Sequence, residues 1–292
     1  MRLGTCAVGL ALALLVAGSA CRRPAETGSA PGAPARPGAG SVEAALAEGD
    51  RAFARRGDPA QLQGALAAYG RAAAQRPGDP AVELRLARAE AFRALAAPGP
   101  AEARPGWEAS ARAAERALRA LQPAWAAAID AGEDPAAAAA RVDARAAEPL
   151  YLLAQGAMRA AQATGPGAVL AVKDAALGMM ARAAELDERV DAAGPHRALG
   201  AWRAALPVAA GGGASAARAH FDRARSLAPD DLLARVAEAE TYAVLVQDGA
   251  LFDRLLAEVL AADPARDPPR APENGIAQRR ARELAARRGR LF

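Results

Sequence analysis

Histidine, serine, cysteine and clustered arginine are the residue types in this 292-residue chain that could perform or recognise chemistry. The two histidines, His196 and His220, lie in no HExxH or similar metal-ligand spacing, so both are expected to be structural or interfacial. Beyond the first segment the serines are Ser29, Ser41, Ser110, Ser215 and Ser226, and none sits in a Gly-x-Ser-x-Gly elbow. A triad assembles in space, so an enzyme built round a histidine is kept as a rival reading. Gly211-Gly212-Gly213 precedes a helix, but no Gly-Lys-Ser/Thr follows and no strand leads in, which excludes a phosphate loop. The only cysteines are Cys6 and Cys21, leaving no internal disulfide or Cys-ligated metal. No catalytic, cofactor or metal site is expected, and the chain is read as not an enzyme.

Two recognition surfaces remain. Arg279, Arg280, Arg282, Arg287, Arg288 and Arg290 crowd the last helix, where cations complement the negative dipole end; contact with anionic lipid is the alternative. Large apolar side chains are scarce in a chain that is about one-third alanine, so their clustering is informative. Most belong in a core. Trp202 and the Met179-Met180 pair are read as lining an apolar groove between helices, with His196, Arg197, Tyr242 and Phe252 completing a candidate ligand or partner surface.

The elements that must position these residues are helices. Alanine is the best helix former, and β-branched and aromatic residues are too sparse for a sheet. Ala217, Phe221, Ala224 and Pro229 fall at relative positions 1, 5, 8 and 13, and Ala65, Tyr69, Ala72 and Pro77 repeat that spacing. Small residues then meet at a helix contact, an aromatic lies a turn away, and proline stops the helix. Ala176, Met180 and Ala183 repeat the first three positions. Residues 41–292 are therefore expected to form a compact, all-α, TPR-like array of helical hairpins, four or five in number, in a right-handed superhelix. Ser41 is read as the first N-cap, with long loops at 97–106 and 207–214.

Residues 1–21 read as an export signal: Arg2, an apolar run from Leu3 to Ala17, then Gly18-Ser19-Ala20-Cys21. The ending resembles a bacterial lipobox, with Cys21 as the lipidated residue; ordinary cleavage after Ser19 or Ala20 is the alternative. Residues 22–40, rich in Pro, Gly, Ala and Ser, suit a flexible tether and favour the lipoprotein. Arg22 is not the aspartate that holds some lipoproteins at the inner membrane, which slightly favours the outer one. Export disfavours a nucleic-acid partner, despite a net charge of +4.

The lipobox, together with Leu150-Tyr151-Leu152-Leu153-Ala154, Ala183-Ala184-Glu185-Leu186-Asp187, Gly194-Pro195-His196-Arg197-Ala198-Leu199-Gly200, Ala217-Arg218-Ala219-His220-Phe221 and Gln247-Asp248-Gly249-Ala250-Leu251-Phe252, resembles a known family. It is the T component associated with TRAP (tripartite ATP-independent periplasmic) transporters, often called TatT. The likeness runs from Pro149 to Ala262, with Ser41 to Pro123 matching only as generic repeats. It implies a periplasm-facing lipoprotein that docks the transporter's solute-binding subunit, self-associates and offers a passage for apolar ligands. A generic TPR lipoprotein adaptor in cell-envelope assembly is the alternative.

Overall fold

The structure, a computed structural model, describes residues 39–292; the segment 1–21 read as an export signal, with Cys21, and residues 22–38 of the expected tether lie outside the described residues. The described chain contains thirteen α-helices and no strand, a compact all-α helical-repeat fold. The helices are α1 (Ala39–Phe53), α2 (Pro59–Gln75), α3 (Pro80–Ala96), α4 (Pro100–Leu121), α5 (Pro123–Asp130), α6 (Pro135–Ala139) and α7 (Ala147–Thr164). They continue with α8 (Pro166–Leu186), α9 (Val190–Ala205), α10 (Ala214–Leu227), α11 (Leu232–Ala237), α12 (Gly249–Ala261) and α13 (Ala271–Ala286). None of the described helices is long and apolar enough to cross a membrane.

Proline punctuates the chain at both helix ends. Asp58-Pro59, Asp79-Pro80 and Asp134-Pro135 open α2, α3 and α6: each aspartate accepts backbone N–H bonds as N-cap, and each proline occupies N1, where its missing N–H has no partner to lose. Pro77, Pro229 and Pro264 follow the C-caps Arg76, Ala228 and Ala262 by one or two residues. Ser41 is not an N-cap. The helix already begins at Ala39, and the Ser41 hydroxyl donates instead to Gln75 Oε1 across to α2. The long loop expected at 97–106 shrinks to 97–99, because α4 starts at Pro100 and runs through Pro105. Pro105 forfeits one backbone bond. Buried Ala103 and Trp107, packed against Ala94, offset that loss.

Short connections make consecutive helices neighbours: α1 packs on α2, α3 on α4, α7 on α8 and α9 on α10. The hairpins touch through small residues. A Cβ on Gly106 would meet the Glu90 carbonyl of α3 at 3.1 Å, and one on Gly156 the Trp107 carbonyl of α4 at 2.6 Å. Ala65, Ala72, Ala217, Phe221, Ala224, Ala176, Met180 and Ala183, the residues of the repeated spacing, are all buried. The main core runs from α3 to α13 and holds Trp125, Tyr151, Trp202, Phe221 and Phe252.

Two irregularities shape the middle of the molecule. Asp191, Ala192 and Ala193 have φ of 48, 53 and 59°, a left-handed turn that feeds the rest of α9. Such backbone costs about 1–2 kcal/mol per L-residue, so the surroundings must hold it. The second is a π-helical segment, Glu238–Ala243, inserted between α11 and α12. Finally, the array closes on itself. Leu62 of α2, Phe92 of α3 and Ile276 of α13 form one apolar cluster, and Arg56, after α1, bonds both carboxylate oxygens of Glu273 at 2.9 and 2.6 Å.

Candidate functional site

That closure leaves a cavity of about 520 Å³, bounded by α3, α4, α7, the left-handed turn, α11, the π segment and α13. α7 supplies its longest wall. Glu148, Tyr151, Leu152, Gln155, Arg159 and Gln162 all line it; apart from the adjacent Tyr151 and Leu152 they recur every three or four residues, along one helical face. Phe92, Leu95 and Trp107 face it from α3 and α4, Leu233 and Val236 from α11, and Ile276 from α13. The π segment contributes Glu240 to the lining; an extra residue in a turn re-aims the side chains around it.

Polar chemistry is concentrated in six arginines of the lining: Arg56, Arg88, Arg159, Arg197, Arg270 and Arg280. Five of them have carboxylate partners: Arg56 with Glu273, Arg88 with Glu148, Arg280 with Glu240, and Arg197 and Arg270 with both Asp191 and Asp231. The last four residues form one network. Arg197 donates to Asp231 and Asp191 at 2.8 Å each, Arg270 donates to the remaining oxygen of both, and the Tyr151 hydroxyl donates to Asp191 at 2.6 Å. These bonds explain how Asp191 is held in its left-handed backbone. Burial works to raise the Asp191 carboxyl pKa, but Arg270 and Arg197 outweigh it and hold it at about 2. Burial likewise opposes the charged form of Arg197, and Asp231, Tyr151 and Asp191 more than reverse this, raising its pKa. Desolvation, then the Asp191 charge, pushes the Tyr151 phenol well up.

Arg159 differs from the other five. It lines the cavity, is exposed, and makes no hydrogen bond or ion pair. Desolvation lowers its pKa most; Glu240 opposes this, and the cations Arg280 and Arg197 add to it. Gln155 and Gln162, one turn to either side, also carry no side-chain hydrogen bond.

Of the seven residues expected at a ligand or partner surface, Arg197 lines the cavity. Trp202, Met179, Met180, Tyr242 and Phe252 are buried in the main core and none of them lines the cavity. His196 is joined to His220 through their Nδ1 atoms, 3.0 Å apart, outside the cavity lining. Desolvation lowers both imidazoles; for His220 the neighbouring His196 and Arg203 add to it, and the pKa falls to about 4. Among the described residues, no group of three His, Cys, Asp or Glu side chains forms a metal site. Sequence reasoning passed over Arg159, Gln155, Gln162 and Arg270. A signal existed for the first three: polar residues recurring at i, i+4 and i+7 on the same face as Tyr151 and Leu152 of an otherwise apolar helix.

Fold and site together define a helical-repeat protein folded round an arginine-bearing cavity. Residues 104–292 match the family model TAtT, TRAP transporter T-component, and the chain belongs to that family. The T component is part of a transport system and not a class of enzyme. No curated protein matches the chain.

Proposed function

We propose that the chain is a lipid-anchored, periplasm-facing T component that docks the solute-binding subunit of a TRAP-type transporter and receives an apolar ligand in its cavity. The family supports association with TRAP components. The observation that carries the ligand part is the cavity itself: about 520 Å³, walled by Phe92, Leu95, Trp107, Leu152, Val236 and Ile276. That volume lies within the range of about 300–1,000 Å³ common to small-molecule sites. In this reading Cys21 holds the protein at a membrane, by preference the outer one, the tether gives it reach, and copies of the chain associate with one another.

The test is purification of the tagged full chain from native membranes, with identification of bound proteins and solvent-extracted compounds by mass spectrometry. A TRAP solute-binding protein and an apolar compound are expected together. Recovery of envelope-assembly proteins, with neither of these, would overturn the reading in favour of a generic adaptor. In parallel, Cys21→Ser is expected to move the chain from the membrane to the soluble fraction.

A further inference from the structure

The arginines of the cavity do not balance. Six guanidiniums in the lining meet five carboxylates, namely Glu148, Asp191, Glu240 and Glu273 of the lining and Asp231 behind it. The surplus charge is localised on Arg159, the only lining arginine without a hydrogen-bonded or ion-paired partner. Arg159 is exposed, so its guanidinium is open to an acceptor that enters the cavity volume. Gln155 and Gln162 bracket Arg159 on the same face and offer further amide donors to whatever occupies that volume. The facing walls, Phe92, Leu95, Trp107 and Ile276, are apolar.

We propose that Arg159 is the headgroup site of the cavity, binding the carboxylate of a singly charged amphiphile whose aliphatic tail lies against Phe92, Leu95, Trp107 and Ile276. The proposal rests on the reading of the cavity as a ligand chamber and adds the chemical class of the ligand. The planar guanidinium matches a carboxylate through two parallel N–H bonds. One uncompensated positive charge selects a monoanion. A phosphate dianion would bring excess negative charge close to Glu240 and Glu148, which also line the space. Arg197 and Arg270 are each ion-paired with both Asp191 and Asp231, so their charges are already compensated, although Arg270 Nε is buried without a hydrogen-bond partner.

The full chain in lipid nanodiscs, with empty nanodiscs as blank, is to be examined by equilibrium dialysis against labelled octanoate, octanol and octyl phosphate. Octanoate is expected to bind most tightly. Arg159→Gln should weaken octanoate more than tenfold and leave octanol unchanged, and Arg159→Lys should recover part of the loss. Because Arg159 has no partner to lose, its glutamine variant should melt at or above the wild-type temperature. A clear fall would mark the residue as structural and overturn the assignment. Octanol binding with octanoate unaffected by Arg159→Gln would overturn the anion site while leaving the apolar chamber intact. Preference for octyl phosphate would overturn the carboxylate. Failure of all three probes to bind the wild type would overturn both the site and the chamber.

Discussion

At the scale of single residues, this protein uses arginine mostly as a structural ion-pairing group. Asp231 is the clearest case: its side chain is almost fully buried and it serves Arg197 and Arg270 at once. Asp231→Ala should cost about 3–5 kcal/mol in chemical denaturation, since it leaves two enclosed guanidiniums short of a partner. Titration adds a second expectation. His220 has a folded pKa of about 4, below the ~6.5 of a free imidazole, so the unfolded chain takes up that proton first. Its contribution is complete above about pH 6.5 and is lost as the pH falls towards 4. Asp191, depressed to about 2 against ~3.9 for a free carboxyl, adds a contribution lost only at lower pH. The melting temperature should therefore fall in two stages on acidification. His220→Gln should flatten the stage between pH 6.5 and 4, and an unchanged slope there would refute the assignment.

At the scale of elements, small residues set the helix spacing. Gly156 lets α7 approach the α4 backbone closely, so Gly156→Ala should overpack the crossing and cost about 1–3 kcal/mol by urea titration. The left-handed turn works in the opposite direction. Ala192, at φ 53° and ψ 59°, is only half-buried, so Ala192→Gly should stabilise the fold by up to about 1 kcal/mol. Most of this level was legible in the sequence. The proline stops and the buried Ala217/Phe221/Ala224 phase both follow from local chemistry. The left-handed turn and the π segment were not legible. Nothing in Asp191-Ala192-Ala193 favours positive φ; Arg197, Arg270 and Tyr151 hold it from residues distant in the chain.

For the molecule as a whole, the decisive feature is that the first hairpins meet the last helix. Ile276, with Leu62 and Phe92, and Arg56 with Glu273 form that seam. Arg56 also lies over the Phe53 and Phe92 rings, at 4.8 and 5.2 Å from their centroids. Ile276→Ala should cost roughly 2–4 kcal/mol. It should also speed tryptic cleavage near Arg55 and Arg56, while the α7–α10 core keeps its hydrogen-exchange protection; equal loss everywhere would show that the seam and core open as one unit.

Local sequence was enough for the helical class, the proline stops, the small-residue contact phase and the family, because each rests on residues a turn or two apart or on short ordered motifs. Tertiary structure alone decided which side chains face the cavity. Trp202, Met179, Met180 and Phe252 satisfy apolar spacing equally well as core or as lining, and only the packed helices place them in the core. Arg159 is distinguished by the absence of a partner, and that is a property of the space around α7 once α13 has closed over the first hairpins.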